Sequence, residues 1–113
     1  MDLFKRNKYL PNVFLAENGL FGYKNEQDEI ILDPIYKMAY PFDSKSKVAL
    51  VMLDANEKYI FIDIDGNKTH DQEYKWAIIE KGKTIVGNNS YSHVINPMTG
   101  ETDAFATLDY NAK

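Results

Sequence analysis

Two aspartates stand one residue apart in the stretch IFIDIDGNK, and carboxylates at such a spacing can bind a cation. Asp63 and Asp65 are followed directly by Gly66. A calcium loop of the EF-hand kind needs a third Asp or Asn before its glycine and a glutamate further on. Because the glycine comes too early and a strand pattern precedes it, the sequence favours a tight hairpin turn. In that turn Asp65-Gly66 supplies the positive φ angles and Asp63 is an outward polar residue.

The remaining side chains that could perform chemistry do not form a catalytic motif. His70 and His93 are the only histidines, there is no cysteine, and the glycines are scattered singly rather than grouped in a phosphate-binding loop. Neither histidine belongs to a metal-binding or nucleophile motif. We therefore predict that the chain is not an enzyme and binds no metal or cofactor. A metal-dependent hydrolase that uses Asp63, Asp65 and His70 is the third-ranked alternative.

The composition indicates a single folded domain over residues 1–113. The 113 residues are 44% hydrophobic and 13% aromatic, which is typical of a globular chain. A net charge of −4 with a single arginine, Arg6, argues against a nucleic-acid partner and favours a basic protein partner. The chain has no signal-peptide pattern and no apolar run long enough to cross a membrane, so we expect a soluble cytoplasmic protein, provided that Met1 is the native start.

The hydrophobic pattern predicts an all-β fold, an antiparallel meander of about ten to twelve short strands. Runs rich in Val, Ile, Phe and Tyr alternate with Asn, Asp and Gly clusters, and no stretch shows a helical period over helix length. Asn18-Gly19 between two such runs is a strong hairpin signal. The three predicted strand pairs are Asn12–Glu17 with Leu20–Lys24, Lys47–Leu53 with Lys58–Ile64, and Lys83–Gly87 with Tyr91–Asn96.

These strand pairs recur as repeats. A shift of 38 positions superimposes the motif D-x-x-Y-K-x-A that starts at Asp33 on the one that starts at Asp71. The third unit is shorter, with Asn96 on Asp63 and Gly100 on Gly66 after a one-residue insertion, and with Tyr110 as its expected closing residue. The predicted units are residues 12–46, 47–82 and 83–113, and about three units are what such repeat proteins need for stability.

The repeated pattern of aromatic-x-aromatic-Ile-Asp-x-x-Gly followed by Pro-x-Tyr resembles the WG repeat, a bacterial β-repeat whose units are likened to propeller blades. The matching segments, GLFGYKNEQDEIILDPIYKMA, KYIFIDIDGNKTHDQEYKWA and YSHVINPMTGE, cover most of the range 13–101. The Trp-Gly pair of the family is Phe21-Gly22 in the first unit and Tyr59-Ile60 in the second. Closed propellers have four to eight blades, so the resemblance implies three propeller-blade-like units in an open or incompletely closed assembly.

Acidic residues and a few aromatic residues are the candidates for partner binding. The acidic stretches are ordinary solvated turns or, alternatively, a face that attracts a basic protein. Trp76 stands where the first unit has Met38, which favours an inward core position over an exposed interface anchor. The candidate set is Glu26, Asp28, Glu29, Tyr36, Tyr40, Asp54, Glu57, Asp63, Asp65, Asp71, Glu73 and Trp76.

A small, acidic, cysteine-free β protein without a catalytic motif is similar in class to bacterial immunity proteins and antitoxins. The expected function is therefore non-enzymatic protein binding, in which the chain blocks a basic, nuclease-type toxin by covering its active site. Carboxylates would steer the encounter and aromatic side chains would anchor the complex. The alternative is a self-assembling or scaffold WG-repeat module with no inhibitory role, for which weak self-association is expected.

Overall fold

The strand pattern is realised as eight antiparallel strands in a computed structural model that describes residues 10–88 and 92–102. This part of the chain is all-β and contains no helix, so it has no helix able to span a membrane. The sheets have the orders β1-β2-β3-β4-β5 and β6-β7-β8, and neither closes into a barrel. The strands are β1 (Asn12–Leu15), β2 (Phe21–Lys24), β3 (Ile30–Ala39), β4 (Ala49–Leu53), β5 (Tyr59–Ile62), β6 (Trp76–Glu80), β7 (Lys83–Gly87) and β8 (Ser92–Ile95).

Turn chemistry at the strand ends accounts for the meander. The predicted Asn18-Gly19 turn joins β1 to β2, with Gly19 at φ 85° and the Asn18 side chain accepting the Leu20 amide at 2.9 Å. The link between β6 and β7 is a two-residue turn in which Lys81 and Gly82 both have positive φ, 53° and 77°. Two such residues form the type I′ turn that matches the twist of antiparallel strands.

The hydrogen bonding of the first unit recurs 38 positions later. The pairs Phe21 with Tyr36 and Lys24 with Ile30 correspond to bridges that join Tyr59 to Tyr74 and Ile62 to Lys68. In the third unit Asn96 accepts the Met98 amide on its side chain, and Gly100 donates to the Asn96 carbonyl at 2.7 Å with φ 79°. Tyr110, the expected closing residue, lies outside the described residues.

Strands β4 and β5 are buried on both faces, which explains their nearly continuous apolar sequences. Alternate residues enter two separate cores because successive side chains of a strand point to opposite faces. The first core contains Ala49 and Val51 from β4, together with Tyr23, Tyr36, Phe42, Ile60 and Ile62. The second contains Leu50 and Phe61, together with Val48, Tyr74, Ala77, Val86 and Ile95, and it joins the five-stranded sheet to the three-stranded one.

The predicted single meander of ten to twelve strands is therefore replaced, within the described residues, by eight strands in two sheets. The break follows β5. Where the first unit has Ile30 and Leu32 in a continuous strand, the second has Lys68 and His70 in a polar stretch that makes only isolated bridges. Polar residues stabilise a pleated, half-buried strand less well than Ile and Leu do. The chain consequently leaves the first sheet after Tyr74 and forms a second one.

Candidate functional site

The predicted acidic residues lie in separate stretches of the described chain. Glu26, Asp28 and Glu29 lie between β2 and β3, Asp54 and Glu57 between β4 and β5, Asp63 and Asp65 after β5, and Asp71 and Glu73 before β6. No group of three or more His, Asp or Glu side chains among residues 10–88 and 92–102 is placed to hold a metal ion.

Asp63 has a local structural role in its turn. Its Oδ1 accepts the backbone amides of Asp65 at 2.9 Å and Asn67 at 3.0 Å, and the Gly66 amide bonds to the Asp63 carbonyl at 2.9 Å. Gly66 has φ 87°, whereas Asp65 does not have a positive φ, so the expectation of positive φ at both residues is wrong. A type I turn followed by one left-handed glycine needs only the glycine in that region. Asn25 makes the same two amide bonds in the first unit.

Three of the predicted carboxylates are paired with lysines. Asp28 lies 2.5 Å from the Lys24 ammonium, Glu73 lies 3.4 Å from that of Lys68, and Glu57 contacts that of Lys37. The hydrogen bond and charge of the last lysine lower the pKa of Glu57. These pairs are largely exposed, so each contributes little to stability. Glu26, Asp54, Asp65 and Asp71 form no ion pair within the described residues.

The three aromatic candidates have different positions. Tyr36 is only 4% exposed and packs edge-on against Tyr23 with 6.2 Å between ring centroids, so its ring is not available to a partner. Trp76 is 36% exposed, which contradicts the favoured core position. The alternation of β6 directs Ala77 into the core and Trp76 outward, where its indole lies against Gly87. Tyr40 is exposed, as an interface residue should be.

Tyr40 belongs to a surface that the sequence pattern did not reveal. Met38 is paired with Met52, and Met52 with Tyr59, so these three side chains lie side by side on one face of the first sheet. The Tyr59 hydroxyl is 3.6 Å from the Met38 sulfur. Tyr40 lies two residues after Met38 and therefore on the same face. The pKa of Tyr59 is raised, mainly by burial and to a smaller extent by the neighbouring Tyr40. We call these four residues the Met38–Tyr59 patch.

Carboxylates border this patch. The pair Met52 and Tyr59 is the last of the β4–β5 ladder before the turn that carries Asp54 and Glu57. Asn56 of the same turn donates to Glu73 at 3.2 Å, which brings a further acidic side chain to that edge. The structure thus brings together Tyr40, Asp54, Glu57 and Glu73 of the predicted set beside exposed Met and Tyr side chains. Solvent-exposed Met38 and half-buried Tyr59 could be identified only once the strand register was known.

His70 lies in a hydrogen-bonded network at the junction of two units. Its Nδ1 is 3.0 Å from the Thr69 hydroxyl, and that hydroxyl donates to the Pro97 carbonyl at 2.6 Å. Its Nε2 is 3.0 Å from the Tyr74 hydroxyl, and that hydroxyl donates to the Gln72 Oε1 at 3.0 Å. Burial lowers the pKa of His70, whose ring also packs against Gly100. The network connects the second unit to the turn of the third unit.

Comparison of the chain with protein-family models, with curated proteins and with solved structures finds no match.

Proposed function

We propose that this chain is a non-enzymatic protein-binding module, an immunity-type protein that neutralises a basic, nuclease-type bacterial toxin in the cytoplasm by covering its active site. The observation that carries the proposal is the Met38–Tyr59 patch with its border of carboxylates. Met and Tyr are enriched at protein interfaces, and Tyr adds a large contact area at a small cost in side-chain entropy. An exposed group of such side chains on a folded sheet is typical of an interaction surface.

The charges around the patch suit a cationic partner. The whole chain carries −4, and Asp54 at the border is not engaged in an ion pair within the described residues. Opposite charges on two proteins accelerate their encounter and exclude wrongly charged partners, while desolvated aromatic anchors supply most of the affinity. In this mechanism Asp54, Glu57 and Glu73 steer the toxin domain, and Tyr40 and Met38 hold it.

We further infer that the recurring turns belong to three blade-like units of the WG-repeat kind. The support is the shared turn geometry at Asn25, Asp63 and Asn96, where each side chain accepts a backbone amide two residues further on at 2.8–2.9 Å. In this arrangement the patch spans two units, with Met38 and Tyr40 from the first and Met52 and Tyr59 from the second, and the second unit also carries the acidic turn.

The test is co-expression with the catalytic domain of a secreted toxin encoded beside the gene. Wild-type protein should protect the cells and form a complex whose association rate falls as salt is raised. The double variant Met38→Ala, Tyr40→Ala should lose protection, whereas Leu15→Ala, which removes an exposed apolar side chain on β1, should keep it. The absence of a complex with wild-type protein, or full protection by the double variant, would contradict the proposal.

A second candidate function is self-assembly, and the open edge of β6 favours it. Among the strands of residues 10–88 and 92–102, β6 is hydrogen-bonded only to β7, and Ile78 and Ile79 on it are exposed. The unpaired edge of a strand is a template for another strand. Light scattering distinguishes the candidates, because assembly predicts a mass that rises with concentration and that Ile78→Lys returns to the monomer value. A monomer whose mass does not change with concentration would exclude self-assembly and leave the inhibitor function as the remaining candidate.

A further inference from the structure

A cavity of about 310 Å³ opens between the two sheets. Its inner wall consists of side chains that are almost fully buried: Val48 just before β4, Leu50 of β4, Phe61 of β5 and Ile95 of β8. Ile79, at the end of β6, lines the entrance and is 54% exposed. Cavities that bind small molecules have this size and this combination of apolar walls and a few polar groups.

Thr84 supplies the polar group of the inner wall. It is 7% exposed, it lines the cavity, and it is the one buried polar residue of the described chain. Its partners in the ladder, Ile79 and Ile95, also line the cavity, which places the three side chains on the inner face of the second sheet. No hydrogen bond of the Thr84 hydroxyl is formed within the described residues. No fully buried side-chain oxygen of the described residues lacks a hydrogen-bond partner, so the unbonded Thr84 hydroxyl is open to the cavity, where a ligand can bond to it.

The lining of the cavity favours an uncharged ligand. Asp43, from the loop between β3 and β4, and Lys83 of β7 both line the cavity. The Asp43 carboxylate already accepts hydrogen bonds from the backbone amides of Lys45 at 3.0 Å and Ser46 at 2.7 Å. These bonds, of which the one from Ser46 has the largest effect, lower the pKa of Asp43 and keep its carboxylate ionised. The opposite charges of Asp43 and Lys83 together favour neither an anionic nor a cationic ligand. The apolar inner wall offers neither charge a partner, and burying an unpaired charge is costly.

We propose that this cavity binds a small, uncharged, mainly apolar molecule with one hydrogen-bonding oxygen, of the class of bicyclic aromatic alcohols. The apolar body lies against Leu50, Phe61 and Ile95, and the oxygen bonds to the Thr84 hydroxyl. This site is separate from the Met38–Tyr59 patch, and it exists only because the third unit folds over the second.

The test compares two probes that differ by one hydroxyl, 2-naphthol and naphthalene, by calorimetry and by the methyl NMR signals of Val48, Leu50 and Ile95. Wild-type protein should bind 2-naphthol saturably at one site and roughly fivefold more tightly than naphthalene, as one hydrogen bond implies. Thr84→Val keeps the shape and removes the hydroxyl, so it should abolish the difference between the probes while both still bind.

Blocking the entrance provides the matched control. Ile79→Trp places a larger side chain at the mouth and should abolish binding of both probes, whereas Ile78→Trp on the opposite face of β6 should leave binding unchanged. Both positions are exposed, so both variants should fold, and their melting curves check this. Absence of saturable binding to wild-type protein, binding that survives Ile79→Trp in the folded protein, or an unchanged probe preference in Thr84→Val would each overturn the proposal.

Discussion

Replacing Gly22 by alanine should destabilise the protein because two backbones meet at this glycine. A Cβ atom at Gly22 would lie 2.6 Å from the carbonyl oxygen of Leu32 and 2.9 Å from the Cα of Pro34. Both contacts are shorter than van der Waals distance, and neither can be relieved by rotation of a side chain. The pairing of β2 with β3 is irregular between Phe21 and Tyr23, so the strands are already adjusted to the closest approach that glycine allows.

The expected loss is about 1–3 kcal/mol, the usual cost of inserting a methyl group into a packed site. For a domain of this size each kcal/mol corresponds to roughly 4 °C in the melting temperature. Urea unfolding followed by Trp76 fluorescence measures the free energy directly, with the midpoint decreasing and the slope unchanged.

Gly19 provides the control, because its substitution should reduce stability for a different reason. It has φ 85° and nothing within 4 Å of its missing Cβ, so its substitution costs backbone strain and no clash. Asparagine tolerates the left-handed region, so Gly19→Asn should recover much of the stability lost in Gly19→Ala, whereas Gly22→Asn should be worse than Gly22→Ala. A change below about 0.5 kcal/mol in Gly22→Ala, the range of a neutral surface substitution, would refute the argument from backbone approach.

Three further predictions concern hydrogen bonds. Tyr23→Phe removes a donor that lies 2.6 Å from a backbone carbonyl and should cost about 1 kcal/mol in urea unfolding; an unchanged midpoint would show that this bond contributes nothing. Asp63→Asn should be nearly neutral because Asn25 makes the same bonds, whereas Asp63→Ala should lower stability by about 1 kcal/mol or more; equal losses would contradict the turn role. The pKa of His70 is lowered from 6.5, so the folded state binds fewer protons than the unfolded state, and stability should fall as pH decreases from about 6.5 towards 5. His70→Gln should flatten this decrease in stability. A pH profile of stability equal to that of the wild-type protein would refute the role of His70.

Local signals in the sequence predicted the local structure well. Asn18-Gly19 predicts the first hairpin, and the repeat at an offset of 38 aligns turns whose hydrogen bonds match atom for atom at Asn25 and Asp63. These features depend on side chains that bond to their own backbone within a few residues. The all-β class follows for the same reason, since the alternation of apolar runs and turn residues is visible without knowledge of the long-range pairing.

The features that the sequence did not predict depend on the long-range pairing of the strands. Trp76 corresponds to Met38 in the repeat, and both side chains face outward. In the second unit it is Ala77, and not Trp76, that enters the second core. Tyr36 and Tyr40 look alike as exposed anchors on a strand, yet only the ladder shows that the first is in the core. Likewise, no local pattern marks Thr84 as a cavity residue, because the opposite wall comes from strands far away in the chain.

The second unit shows how one polar stretch determines the rest of the fold. Its turn copies the first, but the residues after it, from Lys68 to Glu73, cannot form the long apolar strand that follows the first turn. The third unit therefore does not extend the sheet. It folds back over Leu50 and Phe61, whose side chains would otherwise be exposed, and buries them in a second core. The third unit covers one part of that face and leaves Met38 and Tyr40 outside, so the surface patch and the cavity have the same origin. Extending the apolar pattern through the second unit should therefore remove both.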